Sequence, residues 1–167
     1  AFHNGVKGII PVLTVEEAKQ YQSQGMIAAA ERSGEIVEGF DIGNSPFSYM
    51  NDEMKGKEVV LTTTNGTKAI NYAKEADDII IGSFLNLKAV CDYLVQKEKD
   101  VILLCAGWKD RFNLEDTLFA GAVVHYLKEN EMFSGLSDSS LAAESMYAQA
   151  KDNLNDYLKN SSHRNLS

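Results

Sequence analysis

The sequence predicts an α/β domain, three-layered (α/β/α) around a mostly parallel sheet. Three observations carry that expectation. Short apolar runs at 8–13, 26–30, 59–63, 79–82 and 101–105 are mostly β-branched and do not alternate with polar residues. That is the pattern of strands buried on both faces. Stretches of helical spacing fall between these runs, the order expected of α/β architecture. The 167 residues, 44% hydrophobic and 24% charged, suit one domain with a sizeable core.

Taken in order, Ala1 to Gly5 reads as the end of a helix stopped by Gly5. The run 8–13 is the first strand. Thr14 caps the next helix, with Glu16 and Glu17 in its first turn and a stop near Gly25. After the strand at 26–30, the stretch 32–57 holds five glycines or prolines and little periodicity, and reads as a long loop. The strand at 59–63 leads into a helix at 67–74. The strand at 79–82 precedes a helix at 87–97, and the strand at 101–105 precedes one at 114–127. A last helix is expected from Asp138 or Ser139 to Leu158. Residues 1–167 are read as a single domain, the ordered or truncated part of a longer chain.

The net charge of −8 removes the uniformly basic surface that nucleic-acid binding needs. Any anion site must be built locally against that field, from backbone N–H groups, a few Arg or Lys, or a metal. The two cysteines, Cys91 and Cys105, form no paired framework, and no run approaches the length of a membrane span. A cytoplasmic protein is the expectation.

The candidate site residues cluster at strand ends, where open α/β sheets bind ligands. Thr63, Thr64, Asn65, Gly66 and Thr67 close a strand and open a helix, offering hydroxyl and amide donors to an anion. Asn65-Gly66 tolerates the positive φ angles of such a cradle; an ordinary capped helix start is the alternative. Ser83 and Asn86 follow the next strand, and Gly107 the one after. In the long loop, Glu31-Arg32 and the stretch from Asp41 through Asn44 and Ser45 to Pro46 are the polar candidates; Arg32 suits a phosphate or sulfonate, and Asp41 is either a second metal ligand or a turn residue. Glu115 and Asp116 open a helix; they either complement its dipole or hold Mg²⁺. Cys105 and Arg111 have the C-x₅-R spacing of cysteine-dependent phosphatases, but Phe112 follows the Arg and Asp110 puts a negative charge inside the loop. A buried core cysteine is the alternative there.

Together, Glu31-Arg32-x-Gly34, Gly39-Phe40-Asp41-x-Gly43-Asn44-Ser45-Pro46, Thr62 to Thr67, Ile81-Gly82-Ser83-x-x-Asn86, Cys105-Ala106-Gly107 and Arg111-Phe112-x-Leu114-Glu115-Asp116 resemble, in that order, the 2-phosphosulfolactate phosphatase family. A weaker echo lies at Ser161 to Arg164. The resemblance implies an enzyme, a Mg²⁺-dependent phosphatase converting 2-phospho-3-sulfolactate to 3-sulfolactate and phosphate. In methanogens that step serves coenzyme M biosynthesis. It further implies a homodimer, and an upstream strand ending in Asp and followed by Arg-Ala-Thr. On this reading Thr63, Thr64, Asn65 and Thr67 hold the phosphate, and Arg32 neutralises a sulfonate or carboxylate. Asp116, with Glu115 or Asp41, holds the Mg²⁺. A non-catalytic binding module for a phosphorylated or sulfonated acid is the second reading, and a cysteine phosphatase the third.

Overall fold

The computed structural model describes residues 1–129, 133–134 and 136–161. The chain divides into two compact units, Ala1–Ala76 and Asp77–Ser167.

The first unit is built on a sheet. Strand β1 (Gly8–Pro11) leads through helix α1 (Val15–Ser23) to β2 (Ile27–Arg32) and the short β3 (Glu35–Ile36); β4 (Glu58–Thr62) then precedes helix α2 (Gly66–Tyr72). The sheet order is β1-β4-β2-β3. Strands β1, β4 and β2 are parallel, with Ile10 opposite Val60 and Ala30 opposite Thr62. Only β3 is antiparallel. The parallel sheet and the α/β class expected from the apolar runs are therefore present.

Alternation along the strands splits the core in two. Ala28, Ala30 and Val60 face Ala18 of α1 and Phe40, while Ala29 and Val59 face Val6, Tyr49 and Met54. Three consecutive alanines in β2 let material pack closely on both sides. Helix α1 starts where expected. Thr14 Oγ1 accepts the Glu17 N–H at 3.0 Å, and the Glu17 carboxylate accepts the Thr14 N–H at 3.0 Å, a reciprocal cap.

The stretch 32–57 is more ordered than its composition suggests. Two 3₁₀ turns, Pro46–Tyr49 and Asp52–Met54, bring Tyr49 and Met54 onto one face of the sheet, and Tyr49 Oη donates to the Gly43 carbonyl at 2.8 Å. Phe40, Tyr49 and Met54, apolar residues with no regular spacing, anchor this stretch to the two faces of the sheet.

The second unit contains α3 (Leu87–Lys97), α4 (Leu114–Lys128), α5 (Asp138–Ala150) and α6 (Leu154–Tyr157). Val90, Cys91, Leu94, Val123 and Leu127 form its core, with Val101, Leu103 and Phe119 against it. A Cβ on Gly121 would overlap the Ala143 carbonyl oxygen, so α4 and α5 meet at a spacing that only glycine permits.

Two sequence expectations need correction here. The runs 79–82 and 101–105 form no strand among the described residues. Val101 and Leu103 do turn inward while Ile102 and Leu104 point out, 90% and 52% exposed, so the two-residue period survives. What is missing is a ladder: no described segment aligns with these backbones, and apolar β-branched content does not make a strand without a partner. The last helix also breaks. α5 ends at Ala150, and Asn153 caps a new helix by accepting the Asp156 N–H at 3.1 Å. His163-Arg164 lies outside the described residues. Among the described residues, no helix is long and apolar enough to cross a membrane.

Candidate active site

The carboxyl ends of β1, β4 and β2 converge in the first unit, and Arg32 is the last residue of β2. Its position is dictated locally. Ser33 and Gly34 form a two-residue hairpin turn, both with positive φ (57° and 91°), which pairs Arg32 with Glu35. The guanidinium is then held by three acceptors. Nη1 donates to the Glu31 carbonyl at 2.7 Å, and Nη2 donates to the Leu13 carbonyl at 3.2 Å and to Thr62 Oγ1 at 2.8 Å. Thr62 is wholly buried and its hydroxyl donates on to the Leu13 carbonyl at 3.2 Å. A guanidinium carries five N–H donors. Among the described residues, Nε–H and one Nη1–H of Arg32 meet no acceptor. A half-buried, oriented arginine with two spare donors has the chemistry to receive an anion.

The threonine loop is differently occupied than its sequence suggests. Thr63 and Thr67 clasp each other: each backbone N–H donates to the other's hydroxyl at 3.2 Å, and Thr67 Oγ1 donates to the Thr63 carbonyl at 2.9 Å. Thr64 serves Glu31, donating to its carboxylate from N at 3.2 Å and from Oγ1 at 3.0 Å. A Cβ on Gly66 would stand 3.2 Å from Thr63 Oγ1, so glycine keeps this clasp tight. Asn65 precedes α2, and its side chain caps no backbone group. Asp41, Asn44 and Ser45 are exposed on the long loop.

In the second unit, Asp116 lies in the first turn of α4. Asn113, 8% exposed, caps that helix by accepting the Asp116 N–H at 3.0 Å. Asp116 Oδ2 accepts the Gly107 N–H at 2.7 Å. Glu115 turns elsewhere, accepting from Ser161 Oγ at 2.7 Å. Ser83 and Asn86 bond mainly to each other, with Asn86 Oδ1 accepting the Ser83 N–H at 2.7 Å. The sequence expectation counted Glu31 among the polar candidates and Thr62 in the threonine motif without giving either a role, and did not single out Asn113. Asn113, three residues before Asp116, carried a visible cap signature; Thr62 is defined by partners far along the chain, and Glu31 by distant Thr64 together with nearby Gly34.

The chain matches the 2-phosphosulpholactate phosphatase family over residues 1–166. The chain belongs to this family. Relatives named "Probable 2-phosphosulfolactate phosphatase" include that of Thermotoga petrophila, 45% identical over 98% of this chain and 69% of its own length. That of Thermotoga maritima is 44% identical over the same shares, and that of Caldanaerobacter subterraneus is 39% identical over 95% of this chain and 67% of its own. A 2-phosphosulfolactate phosphatase is by its name a phosphoric monoester hydrolase, the enzyme class that the ordered motifs implied.

Two chemistries can be weighed on this family member. Mg²⁺ accepts one or two carboxylates, with waters and phosphate oxygens completing its shell. Among the described residues no group of three or more His, Cys, Asp or Glu converges into an all-protein cage. Glu115 and Asp116 do not form a shared clamp either, because successive helical positions point roughly 100° apart and the two engage different partners. Asp116 fits as a single ligand. The cysteine route meets obstacles. Cys105 is exposed, so it is not the buried core cysteine that the sequence offered as the alternative; partial desolvation of the thiol and the neighbouring Asp116 still raise it above its ordinary value, which favours the protonated, non-nucleophilic form. The loop after it closes on itself: Trp108 and Arg111 exchange backbone hydrogen bonds at 3.1 Å, with Lys109 and Asp110 both at positive φ. Amides spent on a hairpin cannot ring a phosphate.

Proposed function

We propose that this chain hydrolyses 2-phospho-3-sulfolactate to 3-sulfolactate and inorganic phosphate, with Mg²⁺ as cofactor. Membership of the family supports the substrate. The observation that carries the reading is Arg32, a guanidinium held by three acceptors at the carboxyl edge of a parallel sheet, with two donors left over. A substrate bearing phosphate, sulfonate and carboxylate groups needs such a donor, the more so on a chain of net charge −8.

Arg32 binds and orients an anionic group, and the Asn65 carboxamide is a second donor. Thr63 and Thr67 shape the turn from which Asn65 projects. Asp116, fixed by Gly107 and Asn113, is the residue that would hold the metal. A Mg²⁺ held there would supply positive charge to offset that of phosphoryl oxygens. In the net reaction a water oxygen bonds to phosphorus and the phosphate ester P–O bond breaks. A homodimeric, cytoplasmic enzyme of sulfolactate metabolism is the accompanying expectation.

Phosphate release from 2-phosphosulfolactate tests this, with Mg²⁺ or EDTA and with or without thiol alkylation. Release that EDTA abolishes, alkylation spares and Arg32→Ala lowers is expected. Saturable binding without release would replace catalysis by a binding role. Loss on alkylation with indifference to EDTA would return the reaction to Cys105.

A further inference from the structure

Glu31 is a carboxylate 6% exposed at the edge where anions are expected, and the proposed reaction gives it nothing to do. A buried carboxylate needs a reason, because desolvating it is costly unless donors compensate. Three donors do so. The Gly34 N–H reaches Oε1 at 2.6 Å, Thr64 Oγ1 reaches Oε1 at 3.0 Å, and the Thr64 N–H reaches Oε2 at 3.2 Å. Gly34 belongs to the turn after β2 and Thr64 to the loop after β4. The Ser33 N–H adds a further link, donating to Thr64 Oγ1 at 2.9 Å. One carboxylate thus ties together the two loops on either side of the arginine's setting.

The residue reaches Arg32 twice. Its own carbonyl accepts Nη1. Its carboxylate fixes Gly34, and so the turn that ends β2 directly after Arg32. We infer that Glu31 is a positioning residue: it holds the Arg32 guanidinium on its acceptors and reserves the Thr64 donors for the protein, so that an incoming phosphate or sulfonate meets Arg32 and not Thr64. This corrects the cradle expected from sequence, in which Thr64 binds the ligand. It deepens the proposed phosphatase site and rests on that reading for its kinetic test alone.

The substitution Glu31→Gln keeps the shape and removes one acceptor. Gly34 and Thr64 each present a backbone N–H to a different carboxylate oxygen, and a carboxamide offers only one oxygen. Whichever way it flips, one N–H loses its partner. Steady-state kinetics of the full chain on 2-phosphosulfolactate, competition by inorganic phosphate, and amide NMR shifts of Gly34 and Thr64 form the test. Glu31→Gln should raise KM and the phosphate inhibition constant about tenfold, with kcat changed much less. At least one of the two amide signals should shift strongly. Wild-type KM and inhibition constant in a folded Glu31→Gln protein overturn the inference. If that variant does not fold, Thr64→Val removes both Oγ1 links, to Glu31 and to the Ser33 N–H, leaves the Thr64 N–H bond in place and should move KM the same way; an unchanged KM there overturns it equally. If the wild type releases no phosphate, the phosphatase reading falls. Inorganic phosphate binding to wild type and Glu31→Gln, followed at the Arg32 Nε–H signal, then decides the role of Glu31 by itself.

Discussion

Gly107 sits at a point where sterics, backbone conformation and the proposed metal ligand meet, which makes Gly107→Ala an informative perturbation. Its φ is +69°, and an added Cβ would lie 2.7 Å from the Arg111 carbonyl oxygen. That oxygen is backbone, fixed by accepting the Trp108 N–H at 3.1 Å, and cannot swing away as a side chain would. Alanine in the left-handed region costs about 1–2 kcal/mol, and forcing a methyl into occupied space about 1–3 kcal/mol more. The sum is about 2–5 kcal/mol. Gly25→Ala is the control, since Gly25 has φ +85° and nothing within 4 Å of an added Cβ. It should lose only the conformational share, about 1–2 kcal/mol. Urea unfolding of wild type and both variants measures the difference. The Gly107 N–H also holds Asp116 Oδ2, so phosphate release should fall in Gly107→Ala and stay near wild type in Gly25→Ala. If the two variants lose equal stability, the steric argument is wrong. If Gly107→Ala keeps full activity, the Gly107 N–H does not position Asp116 for the reaction.

Three further outcomes are expected. Burial, with a smaller contribution from Asp92, holds the Cys91 thiol pushed up to about 11 from 9.0. The folded state therefore retains that proton, so the stability it confers is intact below pH 9.0 and is lost as pH rises towards about 11; Cys91→Ala should flatten the alkaline slope of an unfolding series. Glu144 is held below its ordinary value, first by the hydrogen bond from His125 and then by Lys128, against an opposing contribution from burial. Its contribution is present above the usual carboxylate range and lost as pH falls through it, so Glu144→Gln should weaken the acid-side slope. Gly121→Ala must push α4 and α5 apart against the Ala143 carbonyl and should cost about 1–3 kcal/mol or more in the same unfolding assay.

Local signals in the sequence were read correctly where the cause is local. The Thr14 cap of α1, the bounds of α3 and the start of α4 at Leu114 follow from neighbouring residues alone. Register-dependent features were not legible in that way. The apolar run 101–105 has strand composition and keeps strand alternation, yet a strand is a property of two segments and no described segment pairs with it. Tyr49 and Met54 gave no periodic signal, although they cover a face of the sheet.

The sequence by itself determined the α/β class and the family, because short apolar runs alternate with helical stretches and strand-end motifs occur in a fixed order along the chain. Tertiary structure decided which donors at those strand ends remain for a ligand. Thr64 and Arg32 read alike as anion-binding residues in one dimension. They differ because Glu31, 33 residues away from Thr64, takes up the donors of the one. The other is anchored by Thr62 and the Leu13 carbonyl with two donors left over. Hydrogen-bonding capacity belongs to each residue, but what is left of it after folding belongs to the packed structure.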